Sequence, residues 1–265
     1  MENAIDFNKF TIGAEIEFYL LDSNGDVIAD LSSGKFPTKH YQILSENIIP
    51  LENFRLEISQ KYSFQTESGA GQFEVNLPPT NSAEHLAAEI IKFKEYVKPV
   101  AARYGFQVTF AAKPLADQPG SALHIHYCNE AFDPYGLNAN KGVYDIRVAS
   151  NNDYLLWAIG GLLVTTKENN KLFINDENDV PRFWPWFNAP TKICWGGNNR
   201  SVAIRVPDAK PKRLEHRIAC ADVPPQPLIE YIIDAARYGM ENKIVPTDKV
   251  YGNAWDDKYV FEAIF

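Results

Sequence analysis

Cysteine is scarce: Cys128, Cys194 and Cys220 are the only three in 265 residues. An odd, widely spaced set without a C-x-x-C pair excludes a disulfide framework and a cysteine-rich zinc site, and fits reduced thiols in a cytoplasmic protein. Long apolar runs are missing too. The most apolar stretch, 154-YLLWAIGGLLV-164, falls short of the ~18 residues of a membrane span and carries two glycines, so no membrane partner is expected. The opening MENAIDFNKF is acidic and mixed, unlike a signal peptide. Basic residues are outnumbered, 26 Lys and Arg against 34 Asp and Glu, giving a net charge of −8. A chain that tracks a phosphate backbone needs the reverse, so no nucleic-acid partner is expected. Neither a Walker loop nor a kinase glycine loop occurs, nor does an internal repeat or low-complexity linker. One domain over 1–265 is the expected organisation.

What is present is periodic. Leu86, Ile90, Phe93, Val97, Val100 and Tyr104 recur at spacings of three and four and predict a helix over 83–104. Asn81 with Glu84 reads as a capping box, Gly105 as the C-terminal stop, and Pro99 as a possible kink. Further helices are predicted over 152–168 and 227–240. Strand-like stretches cover 11–21, 72–77, 106–111, 121–128, 201–206 and 213–219, and 22-DSNGD-26 reads as a turn. This order predicts a mixed or antiparallel sheet with helices on one side.

The strands share an unusual feature. Residues two apart in a strand point the same way. In 13-GAEIEF-18, Glu15 and Glu17 oppose Ile16 and Phe18; in 72-QFEVNL-77, Glu74 and Asn76 oppose Phe73 and Val75. In 120-GSALHIHYC-128, His124 and His126 oppose Leu123, Ile125 and Tyr127; in 213-RLEHRI-218, Arg213, Glu215 and Arg217 oppose Leu214, His216 and Ile218. Any one such strand reads as a solvated outer face. Together they put Glu15, Glu17, Glu74, His124 and Glu215 on one face, where like charges repel unless cations intervene. Carboxylates with one imidazole suit Mg²⁺ or Mn²⁺. The interleaved Arg200, Arg205, Arg213 and Arg217 suit phosphate and carboxylate oxygens. Metals beside arginines point to a nucleoside triphosphate and phosphoryl transfer.

These motifs resemble, in order and through nearly the whole chain, the catalytic domain of glutamine synthetase. The matching segments are 13-GAEIEF-18, 67-ESGAGQFEVNLPP-79, 109-TFAAKP-114, 120-GSALHIH-126, 157-WAIGGLL-163, 182-RFWPWFNAP-190, 198-NNRSVAIRVP-207, 212-KRLEHR-217 and 226-QPLI-229. The resemblance implies an α+β fold of the glutamine synthetase/guanidino kinase type, a curved, mostly antiparallel sheet with helices packed on its outer face, and a reaction in which ATP phosphorylates the side-chain carboxylate of glutamate before ammonia displaces phosphate. By position, Glu17, Glu67 and Glu74 resemble the ligands of one divalent ion, and Glu15, His124 and Glu215 those of a second. Arg200, Arg205 and Arg213 resemble the arginines on the triphosphate and the transferred phosphoryl group. Arg182, Arg217 and Gly120 resemble residues at the amino-acid substrate, and His126 one near the nucleotide. Metals and arginines stabilise the charge on an acyl phosphate as it forms, and closure must keep water from it.

The sequence also departs from the family. On this alignment the N-terminal β-grasp domain has no counterpart and the region after Arg217 is short. Asn188 stands where the flap loop has a glutamate that takes a proton from ammonium; Asn cannot act as a base. The adjoining 183-FWPWF-187 is rich in rings that would close the site, line a pocket for a larger amine, or simply pack. Pro119 replaces an asparagine at the substrate, Ala122 a second glycine, and Cys128 a serine that commonly contacts the nucleotide. The leading expectation is an ATP-dependent carboxylate–amine ligase. The others are a homologue that binds nucleotide, metal or glutamate in a regulatory role, and a guanidino kinase, against which Q-x-E and R-x-E-x-R count. His40, His85 and His216 read as surface or packing histidines. Trp255 and 259-YVFEAIF-265 read as packing on the core or forming a homo-oligomer contact.

Overall fold

The computed structural model describes residues 6–32, 41–132, 153–184 and 188–265. His40, Asn152 and the ring-rich Pro185, Trp186 and Phe187 lie outside them. The centre is a long strand, β1 (Phe10–Leu21), whose inward residues Ile12, Ala14, Ile16, Phe18 and Leu20 are all core. Two tiny strands, β2 (Ala29–Asp30) and β3 (Gln42–Ile43), pair beside it as a separate ribbon. Helix α1 (Ser45–Ser59) leads into β4 (Ser63–Thr66) and β5 (Gln72–Asn76). Helix α2 (Ala83–Arg103) precedes β6 (Gln107–Thr109) and β7 (Leu123–Asn129). Helix α3 (Asp153–Thr166) is followed by β8 (Trp195–Gly196), β9 (Ile204–Arg205), β10 (Leu214–His216) and helix α4 (Pro225–Glu241).

The eight-stranded sheet runs β4-β5-β1-β7-β10-β9-β8, with β6 pairing the end of β1. Every pair is antiparallel except β8 with β9. The fold is therefore α+β with a mostly antiparallel sheet, as expected. Helix α2 packs against β1 and β6, α4 against β7, and α3 against α4. One core cluster joins the inward strand residues to Leu86, Ile90, Phe93, Val97 and Val100 of α2 and to Leu228, Ile229 and Ile232 of α4. The helices thus cover the apolar face of the sheet and leave the polar face open.

Local signals were mostly placed correctly. Helix α2 runs through Pro99, and Gly105 takes φ +82° beyond its end, a conformation glycine adopts without strain. The N-cap differs: Ser82, in extended conformation, accepts from the His85 N–H at 3.1 Å, so the helix begins one residue later than Asn81 would place it. Helix α1 was not anticipated. Its apolar residues lie all round, with Phe54 and Ile58 buried but Ile48, Ile49 and Leu56 exposed, so no stripe announces it. The expected strands over 201–206 and 213–219 shrink to the short β9 and β10.

His85 is exposed, but His216 is wholly buried on the helix side of β10, its ring 5.0 Å from that of Phe173 and 6.2 Å from that of Tyr231. Neither ring nitrogen has a hydrogen-bond partner. A buried polar atom without a partner costs about 1–3 kcal/mol, and an apolar ring of similar shape avoids that cost. His216→Phe is accordingly expected to raise the melting temperature by roughly 3–6 °C. A lower melting temperature in scanning calorimetry would mean that the histidine is satisfied.

Candidate active site

Strand register builds the site. β1 lies between β5 and β7, so Glu17 faces Glu74 across one junction and Glu15 faces His124 across the other. β10 adds Glu215 opposite His126, and β9 adds Arg205 opposite Glu215. The polar face becomes the floor of a cavity of about 310 Å³ lined by Glu15, Glu17, Glu67, Glu74, His124 and His126, and by the arginines 182, 200, 205, 213 and 217. Pro119, Gly120 and Asn188 complete the expected residues around it. Glu215, buried beneath, joins the same network.

Glu15 is the hub. It receives His126 Nε2 at 2.8 Å and lies 3.5 Å from His124 Nδ1, which is in turn 3.4 Å from Glu215. Arg213 Nε donates to His126 Nδ1 at 3.1 Å. Arginine is only a donor, so Nδ1 accepts and the His126 proton sits on Nε2, facing Glu15. Burial alone would raise the Glu15 carboxyl, but bonds and charge from both histidines hold it well below the usual carboxylate range. Glu215 is likewise buried, yet Arg217 at 2.7 Å, His124 and Arg205 at 2.8 Å bring it down to about 2. His124 is pushed down to about 4, by burial and then by Arg217.

The other corner is crowded with negative charge. Glu17 accepts from the Ala122 N–H at 2.9 Å and from Gln72 Nε2 at 3.3 Å. Burial and the neighbouring Glu67 still push it up to about 8. Glu74 is pushed up to about 9 by burial and by Glu15, Glu67 and Glu17. A divalent ion suits this environment. Donor atoms of Glu15, Glu74 and His124 lie within 4.8 Å of one another, as do those of Glu15, His126 and Glu215. His124 Nδ1 is buried between the Glu15 and Glu215 carboxylates, as a ligand nitrogen would be. These groupings differ from the two triads the resemblance implies: both contain Glu15, and neither contains Glu17 or Glu67. A third group, Asp179, Cys220 and Asp222, does not line the cavity, and burial pushes the Cys220 thiol up to about 12, against a thiolate ligand.

The arginines are held differently from one another. Arg205 is clamped by Asn198 Oδ1, 3.1 Å from its Nε, and by Glu215. Arg200 lines the cavity and is exposed. Arg182 is buried, and its guanidinium donates to the backbone carbonyls of Arg217, at 3.3 Å, and Ile218. Arg217 bonds Glu215 and also the Asn188 carbonyl, at 3.1 Å. Asn188 has φ +57°, a left-handed conformation that asparagine tolerates. At Gly120, a Cβ would strike the Ala112 carbonyl and the Arg182 side chain, so only glycine lets these chains meet. The Pro119 carbonyl accepts from the Tyr19 hydroxyl at 2.7 Å.

One expected residue falls outside. Cys128 shares the face of His124 and His126, but it pairs opposite Thr11 near the end of β7 and does not line the cavity. Period two gave the face and not the distance along the strand. Gln65, Ser68, Gln72, Asn198 and Asp208 line the cavity without having been singled out. Gln72 and Asn198 sit inside motifs already noted, G-Q-x-E and N-N-R-S, which was the available signal.

Residues 2–260 match the family described as glutamine synthetase, catalytic domain. Among curated proteins, the chain is 26% identical to gamma-glutamylputrescine synthetase PuuA of Escherichia coli (strain K12), over 93% of this chain and 54% of that protein. It is 29% identical to glutamine synthetase of Methanococcus voltae, over 92% of this chain and 54% of that protein. Among solved structures, ligand-free GmaS superposes with a TM-score of 0.75 and 25% identity, covering 96% of this chain and 59% of that one. The chain thus spans about half the length of the curated relatives it matches.

Proposed function

The chain belongs to the glutamine synthetase family through its catalytic domain, and from that premise we propose that it is an ATP-dependent ligase joining the side-chain carboxylate of glutamate, or a related acid, to an amine. The observation that carries this reading is the convergence of Glu15, Glu17, Glu67, Glu74 and His124 with Arg200, Arg205 and Arg213 on one cavity. Glu15, Glu17, Glu67, Glu74, His124 and Glu215 would hold Mg²⁺ or Mn²⁺, which supplies Lewis-acid stabilisation of phosphate charge. Arg205, fixed by Asn198 and Glu215, presents a preorganised cation to the transferred phosphoryl group, and Arg200 and Arg213 flank it. Arg217 and Gly120 would seat the acid, while Arg182 holds the backbone beneath them.

The nucleophile is the altered part. Asn188 cannot take a proton from ammonium, so the attacking nitrogen must arrive neutral or lose its proton elsewhere. The name of the Escherichia coli relative, gamma-glutamylputrescine synthetase, supports an amine larger than ammonia. Asn188 also favours a second reading, a nucleotide- and metal-binding homologue that does not complete the ligation.

Hydroxylamine separates the two, because it is a strong, small nucleophile needing little help from a flap base. Phosphate release from Mg-ATP and glutamate, with a γ-glutamyl hydroxamate formed in proportion, is the expected result. Glu17→Ala is expected to lower both by at least ~100-fold, since losing a ligand weakens the hold on a cation that is worth several kcal/mol to the transferring phosphate. Nucleotide binding by calorimetry without phosphate release or hydroxamate would favour the binding homologue.

A further inference from the structure

The C-terminal stretch from Thr247 runs past two of the loops that line the cavity. Its carbonyls and amides bond to Trp195 of β8 at 2.6 and 3.0 Å, and to Asn199 at 2.7 Å and Ser201 at 2.8 Å on the loop that follows and carries Arg200. It then turns to the loop after Asn188. Trp255 Nε1 donates to the Ala189 carbonyl at 3.1 Å, Lys192 Nζ reaches the Tyr259 carbonyl at 2.7 Å, and the Ile193 N–H reaches the Glu262 carbonyl at 2.8 Å. Val250 and Ala254 join Cys194 and Val202 in a small apolar cluster of their own.

We infer that Trp255 is a positioning residue for the Asn188–Ala189 loop, holding it from the side of the C-terminal stretch while Arg217 holds it from the cavity side. Two consecutive carbonyls are fixed by donors from different parts of the chain: Asn188 by Arg217 at 3.1 Å and Ala189 by Trp255 at 3.1 Å. Asn188, in its left-handed conformation, is the pivot between them. The loop is therefore latched over the cavity by a residue that does not line it. The consequence for chemistry rests on the ligase reading above. An acyl phosphate attacked by the amine gives amide and phosphate; attacked by water it gives back the carboxylate and phosphate, and ATP is spent without product. A latched loop favours the first path by excluding water.

The test has two arms. In the first, hydrogen exchange of the amides of residues 188–193 is compared in wild type and Trp255→Phe, which keeps a ring and deletes the donor. Exchange about fivefold faster is expected, the worth of one net hydrogen bond. Lys192→Met, which cuts the neighbouring tie from the loop side, is expected to act in the same direction and serves if the first variant does not fold. Val260→Ala, at a position 92% exposed, is expected to change nothing. Unchanged exchange in both loop variants would overturn the latch, whatever the activity. In the second arm, phosphate released per hydroxamate formed is expected to rise about fivefold in Trp255→Phe. Faster exchange with an unchanged ratio would leave Trp255 a packing residue and overturn its positioning role. A wild type that makes neither phosphate nor hydroxamate would sink the ligase reading, while the exchange arm still decides the latch.

Discussion

In metal-free buffer the melting temperature is expected to fall by roughly 5–10 °C between pH 6.5 and pH 8, and Mg²⁺ or Mn²⁺ is expected to restore it. Glu17 and Glu74 titrate near 4.5 in an unfolded chain but near 8 and 9 in the fold. Between those values the native protein holds protons that the unfolded chain has released, so its stability falls as pH rises. The window is set by the other shifted groups. Glu15 and Glu215 have depressed values, and their stabilising contribution is complete by about pH 5. His124 and His216, at about 4 and 3 against 6.5, make stability rise with pH only below 6.5, by which point their contribution is complete. Lys94 and Lys113, at about 8 against 10.5, oppose the fall only above pH 8. Between 6.5 and 8 the crowded carboxylates dominate, at about 2–4 kcal/mol for one to two protons across that span.

A bound cation reverses this, because it binds the ionised carboxylates, and its stabilisation grows with its concentration over its dissociation constant. Glu74→Gln removes one member of the crowd at nearly constant shape. It is expected to shrink the metal-free fall by about half and to weaken the metal effect. A melting temperature flat across this window, with no response to either cation, would mean that the polar floor is not a metal centre.

How much of this was legible in the sequence depends on the length of the signal. β1 alternates core and site residues along its whole length, so its two faces could be read directly. Helix α2 repeats its apolar stripe over five turns and was placed almost to the residue. The short β8, β9 and β10 have two or three residues each, too few for periodicity, and their place comes from pairing with strands distant in sequence. The chemistry was legible because acid, imidazole and guanidinium groups alternate with apolar residues on strands that turn out to be neighbours. The hydrogen-bond economy was not. Arg182 lines the cavity as its motif suggests, but its bonds to the carbonyls of 217 and 218 are announced by no local pattern. Asn198 clamping Arg205 of β9 and Trp255 reaching Ala189 are of the same kind: contacts of loop residues that no periodic pattern announces.

Gly239→Ala and Gly161→Ala are each expected to lower the melting temperature by roughly 6–12 °C, the reverse of the usual effect of alanine in a helix. Ordinarily the added methyl restricts the unfolded chain and gains up to about 1 kcal/mol. Here α3 and α4 cross backbone to backbone. A Cβ on Gly239 would fall on the Trp157 carbonyl, with the Gly161 backbone 2.7 and 2.8 Å away. A Cβ on Gly161 would fall on the Ala235 carbonyl, with Gly239 2.6 and 2.7 Å away. Backbone atoms in helices cannot turn aside as a side-chain tip can, so the helices must separate. Separation loosens Ile159 and Leu162 of α3 and Ile232 and Ala236 of α4, all fully buried. Overpacking of this kind costs about 3 kcal/mol, and more where two helices move together. The site is expected to suffer afterwards, because α4 also packs on β7, which carries His124 and His126. Calorimetry on the two alanine variants checks the stability change, and a melting temperature equal to or above wild type would mean that the helices do not touch at these glycines. It would also remove the physical reason for an I-G-G sequence in an otherwise bulky apolar helix.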